Sequence, residues 1–226
     1  RVNHAKVLLS KLILITCTLC TCTGVQPTLA QQTSGYVMNT FSDVTNIGNI
    51  NHMVTDATTG KVYVAAVNKL YQFNERLEVE KTVTTGPQED SPFCPPTGDC
   101  VCTDLGEEDC DVYQKQETAC HNKALVVDYN SNKLIVCSNL FQGRCEKRQL
   151  GDINNLADVI YDEAIVPNDM SSSAYMFIAP GPGDLSRPND QVMYIGATRS
   201  TAGIKIYQDL VPAVSSRRLD NFDFVF

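Results

Sequence analysis

The chain has 226 residues, with 26 acidic against 18 basic side chains and a formal net charge of −8. That balance excludes the electrostatic footprint of a nucleic-acid-binding protein, which must neutralise phosphate, and favours partners with basic surfaces. Ten cysteines and only three histidines make the redox compartment the first question, because it decides whether thiols are read as ligands or as bridges.

Residues 1–30 begin basic, continue through an apolar stretch broken by Lys11, and reach Thr28-Leu29-Ala30 before a polar run. This reads as a secretory signal peptide cut after Ala30, since the apolar part falls short of the roughly 20 residues a membrane-spanning helix needs. The first residue is Arg rather than Met, so a missing start is expected. Removing the signal takes Arg1, Lys6 and Lys11 and no acid, leaving 15 basic against 26 acidic residues. Cys17, Cys20 and Cys22 leave with it. The seven remaining cysteines lie between Cys94 and Cys145 and are expected to be oxidised in an exported protein. Seven is odd, so one is free or bonds outside this chain.

Alternation with period two, the mark of half-buried strands, recurs at Asn51–Asp56, Lys61–Ala66, Lys69–Phe73 and Glu78–Val83. Thr58-Thr59-Gly60, Asn68 and Thr84-Thr85-Gly86-Pro87 punctuate it with turn formers. These four strands predict an antiparallel meander. The unit recurs: Val54, Asp56, Lys61 and Val64 reappear as Val126, Asp128, Lys133 and Val136 at an offset of 72. Gly60 is replaced by Asn132, which also tolerates a left-handed turn. Gly143–Arg148 and Ala157–Tyr161 follow as third and fourth strands of the second copy. A looser third copy runs Tyr175–Ala179, Gln191–Ile195 and Gly203–Tyr207. Repeated four-stranded units with variable loops are the signature of β-propeller blades; a β-sandwich is the alternative. The expected layout is a first blade over about 40–86, a cysteine-rich loop over 87–121, a second blade over 122–165 and the start of a third over 166–226. About two and a half blades cannot close a propeller, so the front of a larger domain is expected, with its last sheet edge open to aggregation. Pro180–Gly183 to Pro188 reads as a surface excursion.

Catalytic and metal motifs are weak. Cys94, Cys100, Cys102, Cys110, Cys120 and His121 offer soft ligands, but there is no C-x-x-C knuckle and the export signal favours disulfides. Past residue 30 only His52 and His121 could serve as bases, and no nucleophile elbow, zinc helix or phosphate loop is present. Glu107, Glu108, Asp109 and Asp111 lack calcium-ligand spacing. Glu146-Lys-Arg148 and Ser215-Ser-Arg-Arg218 read as solvated faces. The sequence thus names no catalytic residue, cofactor or metal.

The stretches TGPQEDSPFC (85–94), NKALVVDYNSNKLIVCSNLFQGRCEKRQL (122–150), VPNDMSSSAYMFIAPGPG (166–183) and VPAVSSRRL (211–219) resemble the start of the sema domain of a plexin, a cell-surface semaphorin receptor. The resemblance covers nearly all of 36–226. It implies an all-β, seven-bladed propeller of which the chain supplies the first two to three blades, a non-enzymatic receptor role in cell and axon guidance, and location at the extracellular face of the plasma membrane. The implied partners are semaphorin, the rest of the receptor chain and a second copy of it. A semaphorin-like secreted ligand is the main alternative; a secreted propeller hydrolase built on His52 or His121 is a remote one. The resemblance further implies a Cys137–Cys145 disulfide and a bond for Cys94 within its own loop. Five cysteines crowd 94–120 where about two are expected. Cys110 with Cys120, and Cys94 with Cys100 or Cys102, are the pairs expected there; Cys100 and Cys102 are too close to bond each other without strain. Around Phe141 a hairpin with a three-residue loop, Leu140 to Gln142, would oppose Cys137 and Cys145 and put Gly143 in the left-handed region.

Overall fold

The computed structural model describes residues 41, 43, 49–97, 114–160, 164–181, 190–203 and 205–225, and the sheets all lie in the unit Asp43–Phe226. The expected signal peptide, Cys100, Cys102 and Cys110, and the 182–189 excursion lie outside the described residues.

The first sheet is a meander of β1 (Ile50–Thr55), β2 (Val62–Ala66), β3 (Lys69–Phe73) and β4 (Val79–Thr84), in that spatial order. A short ribbon follows, β5 (Gln88–Asp90) paired with β6 (Gln116–Thr118), which brackets the cysteine-rich segment. The second sheet repeats the plan with β7 (Asn122–Asp128), β8 (Lys133–Ser138), β9 (Cys145–Gln149) and β10 (Leu156–Val159). The third has three strands: β11 (Ala174–Pro180), β12 (Gln191–Ala197) and β13 (Val214–Arg218). All these pairings are antiparallel. The first strands of successive sheets, β1 against β7 and β7 against β11, lie next to each other.

The 72-residue repeat is a repeat of chemistry. Asp56 accepts the Thr58 N–H and the hydroxyls of Thr58 and Thr59; Asp128 accepts the N–H of Asn130 and Ser131 and the Ser131 hydroxyl. Both aspartates close the turn between the first two strands by the same side-chain mimicry of a backbone turn. Gly60 at φ 73° and Asn132 at φ 56° complete those turns. The inner pairs also share an irregularity: register shifts between Ile50 and His52 in β1 and between Asn122 and Ala124 in β7. Such bulges add right-handed twist, so both sheets bend at the equivalent place.

The second sheet is buried on both faces along β7 to β9, while β10 is largely exposed, and every residue of β7 is inaccessible. Leu125, Val127, Leu134 and Val136 pack against Tyr63, Ala65 and Leu70 of the first sheet. Ala124, Val126, Ile135 and Cys137 pack against Met176, Met193 and Ile195 of the third. A one-residue slip would exchange the two sets. Each fully buried aliphatic side chain contributes about 1.5–3 kcal/mol.

Three expectations are corrected. Gly203–Tyr207 is not a strand: after Gly203 (φ 71°) the chain forms the one-turn helix α1 (Lys205–Gln208), and the Gln208 side chain caps the Thr201 and Gly203 carbonyls. The third strand is β13, so Ser215-Ser-Arg-Arg218 is not a solvated face. Arg217 is 1% exposed and donates to the carbonyls of Phe222 and Ala164. Lys147 and Arg148 are likewise buried, donating to the carbonyls of Asp220 and Ile153. Charge misled here because a cation satisfied by carbonyls can occupy an inward position.

Candidate functional site

The connection from β8 to β9 is longer and more unusual than a three-residue hairpin. Cys137 and Cys145 pair directly across the two strands and are joined by a disulfide, with Cα atoms 4.0 Å apart and both side chains fully buried. Beyond them Phe141 (φ 51°, ψ 51°), Gln142 (φ 61°, ψ 31°) and Gly143 (φ 81°) form three consecutive left-handed residues. For residues with a β carbon this conformation costs about 1–2 kcal/mol each, so outside contacts must impose it. The Asp90 carboxylate accepts the Phe141 N–H at 2.8 Å. The Gln142 amide donates to the carbonyls of Pro92 (2.9 Å) and Cys94 (2.6 Å). A β carbon on Gly143 would stand 1.5 Å from the Val166 carbonyl oxygen, so no other residue fits. The Arg144 guanidinium covers the Phe141 ring at 4.0 Å.

Two asparagines hold the end of the cysteine-rich segment. Asn68, after β2, exchanges hydrogen bonds with the main chain of Cys120. Asn139, after β8, does the same with His121 and also donates to the Ala119 carbonyl. Ala119–His121 is thereby gripped between equivalent turns of the first two sheets. A cleft of about 90 Å³ lies beside it, lined by Leu70, Thr85, Cys120, Asn122, Ser138 and Arg148 among others.

Cys120 lies 5% exposed with a free thiol, so the expected Cys110–Cys120 bond is not formed here. Its side chain is turned inward between the sheets, beside the Thr85 and Ser138 hydroxyls, and burial raises its pKa. That makes it a weak nucleophile and a weak metal ligand. Cys94 is disulfide-bonded, its partner outside the described residues.

Among the described residues neither histidine meets a carboxylate of the kind a general base needs. His52 lies in β1 beside Asn122; burial lowers its pKa below 6.5, with the Lys123 charge lowering it further against the raising effect of Asn122. Its Nδ1 is buried without a partner among the described residues. His121 is also held low by burial and Lys123. Among the described residues no group of His, Cys, Asp and Glu is arranged to hold a metal.

Sequence reasoning missed Asp90 and Asn139, and read Asn68 and Gln142 only as turn residues. Asn68 and Asn139 each lie in the connection between the second and third strands of their sheets, but they stand 71 residues apart, one position off the 72-residue repeat, so the strand alignment does not pair them. Asp90 and Gln142 carried no local signal, because their partners lie about 50 residues away.

No family model matches the chain. Plexin-A4 of Mus musculus is 34% identical over 128 residues, covering 56% of this chain and 6% of that protein. Plexin-B3 of Rattus norvegicus is 33% identical over 139 residues, 60% of this chain and 7% of that protein. Plexin-A2 of Mus musculus is 28% identical over 193 residues, 84% of this chain and 9% of that protein. The chain therefore spans less than a tenth of the length of these relatives. The solved extracellular region of Plexin A4 superposes with a TM-score of 0.62 at 29% identity, covering 80% of this chain and 19% of that one. In sequence and in backbone, then, the chain is a plexin-like sema-domain segment, and its antiparallel sheets are blades of a β-propeller.

Proposed function

We propose that this chain is part of the extracellular ligand-binding module of a plexin-type receptor, recognising semaphorin and contributing to semaphorin–plexin signalling in cell and axon guidance. The observation that carries the reading is the agreement of sequence and backbone with the Plexin A4 extracellular region over 80% of the chain. The role fits what the residues supply: rigid sheets locked by buried hydrogen bonds, loops set by the asparagine grip and the left-handed turn, and an acidic surface. The reading puts the protein on the secretory route and, in a full receptor, outside the plasma membrane. Among the described residues no helix is long and apolar enough to cross a membrane. The hydrolase alternative would need a carboxylate beside His52 or His121, and the charged group that shifts both is Lys123.

The test is surface binding of semaphorin ectodomains to a receptor ectodomain that carries this segment. The reading expects at least one semaphorin to bind with an association rate that falls as ionic strength rises through about 0.1 M, where screening becomes strong. Absence of binding across the semaphorin classes would defeat it.

A further inference from the structure

Three segments from different parts of the chain meet around the left-handed turn. From one side come Asp90, Pro92 and Cys94, the base of the cysteine-rich segment, contacting Phe141 and Gln142. From the other side Asn168, in the link between the second and third sheets, donates its amide to the Gln142 side-chain oxygen. The Ser200 hydroxyl, in the connection from β12 to β13, donates to Asn168. The N–H groups of Ile165 and Val166 bond the Gly143 carbonyl at 3.0 and 3.1 Å. Gly203 closes the circuit, pressed so near the Pro92 carbonyl that a β carbon would stand 1.9 Å from it. Gln142 is 2% exposed, and Asp90 and Ser200 are each 6% exposed.

We propose that the Phe141–Gly143 turn is a bistable relay coupling the base of the cysteine-rich segment to the β12–β13 connection, with Gln142 as the positioning residue between them. Coupling between loops requires a discrete two-state element, and the relay assigns that part to the turn. Its left-handed form is intrinsically unfavourable and persists because partners hold it. Withdrawing Asp90 or the Pro92 and Cys94 carbonyls frees it to relax toward the right-handed region, which moves the Gln142 oxygen away from Asn168 and so releases Ser200. Withdrawing Ser200 loosens Asn168 and, through Gln142, the carbonyls of Pro92 and Cys94. Reciprocity is obligatory if the coupling is thermodynamic. Order at one loop, whether altered by a bound protein or by a substitution, is therefore read at the other.

Hydrogen exchange on the full chain tests this. Ser200→Ala touches neither Asp90 nor Cys94, yet it is expected to speed exchange of the 88–97 amides about tenfold, the scale of one lost hydrogen bond. Exchange in β2 and β3 should stay unchanged. Because the Ser200 hydroxyl also accepts the Ala202 N–H beside Gly203, the relay is isolated with Asn168→Ala, which leaves that bond in place. That variant should speed exchange of 88–97 in the native background and have no further effect there in a Gln142→Leu background. Asp90→Ala gives the reciprocal reading at 198–209 and decides the question should Gln142→Leu fail to fold. Effects confined to the mutated loop, or an Asn168→Ala effect on 88–97 that survives in the Gln142→Leu background, would overturn the proposal.

Discussion

Buried cations in this chain end on carbonyl oxygens. Lys123 donates to the carbonyls of Met170 and Ser172, Lys147 to Asp220 and Arg217 to Phe222 and Ala164. Each uses a desolvated charge to fix main chain that has no ladder of its own, and its removal would strand the carbonyls as well as the loop. The neutral analogue is Tyr63, whose hydroxyl donates to the Leu150 carbonyl at 2.5 Å, joining the first sheet to the second. Tyr63→Phe leaves that carbonyl buried and unpaired, so denaturant unfolding should show a loss of about 1–3 kcal/mol. His52 supplies a pH dependence. Its folded pKa lies below the ordinary histidine value of 6.5, so below that value the unfolded chain binds more protons and stability falls as pH falls. Thermal unfolding between about pH 7.5 and 5.5 should show this slope, and His52→Gln should flatten it. Asp169 is set by a different balance. Burial pushes its pKa up, but the hydroxyl and N–H of Ser172 and the hydroxyl of Ser171 outweigh that and hold it well below the usual carboxylate range. Its contribution is present above 3.8 and lost as pH falls below that value.

Elements that depend on neighbours in sequence were legible, and those imposed from afar were not. The strand-turn-strand unit at 54–64 and its copy at 126–136 could be read because alternation, an aspartate and a left-handed residue all act within a dozen positions. The Asp56 and Asp128 turns use the same chemistry, so Asp56→Ala and Asp128→Ala should each cost about 1–2 kcal/mol. The Ala57 N–H donates to the Tyr129 hydroxyl across the two turns, so the double variant should depart from additivity; clearly unequal single costs in chemical denaturation would count against the equivalence. By contrast the 141–143 turn looked like an ordinary hairpin loop, because nothing near Gln142 in sequence reveals the Pro92 and Cys94 carbonyls. The Ser215–Arg218 strand was read as solvated because its carbonyl partners come from separate loops. Lys205–Gln208 alternates like a strand, yet Gln208 turns it back on Thr201 and Gly203.

The assembled sheets form a stack whose middle member is covered on both faces while the third is not. Tyr175 is 73%, Phe177 45% and Val214 79% exposed, and Phe177 stacks on Tyr194 at 5.3 Å. These residues share the outward face of β11, β12 and β13 by register. A contiguous apolar face of this kind drives self-association when nothing covers it. Light scattering of the isolated chain should therefore show oligomers that Tyr175→Lys with Phe177→Lys disperses, while the Cys137–Cys145 bond is retained. The net negative charge opposes such association only over distances of about 10 Å at ordinary salt, too short a range to replace an apolar partner.

The grip of Asn68 and Asn139 on Ala119–His121 has an engineering consequence. Together with the pairing of Gln88 with Thr118, it fixes both ends of the stretch between the first two sheets, so a change of length between those ends leaves the β2–β3 pairing in place. Lengthening a closed loop twofold costs only about 0.6 kcal/mol. A folded tag spliced between those ends should therefore ride on the protein as cargo at a port, reporting its position without loosening β2 and β3.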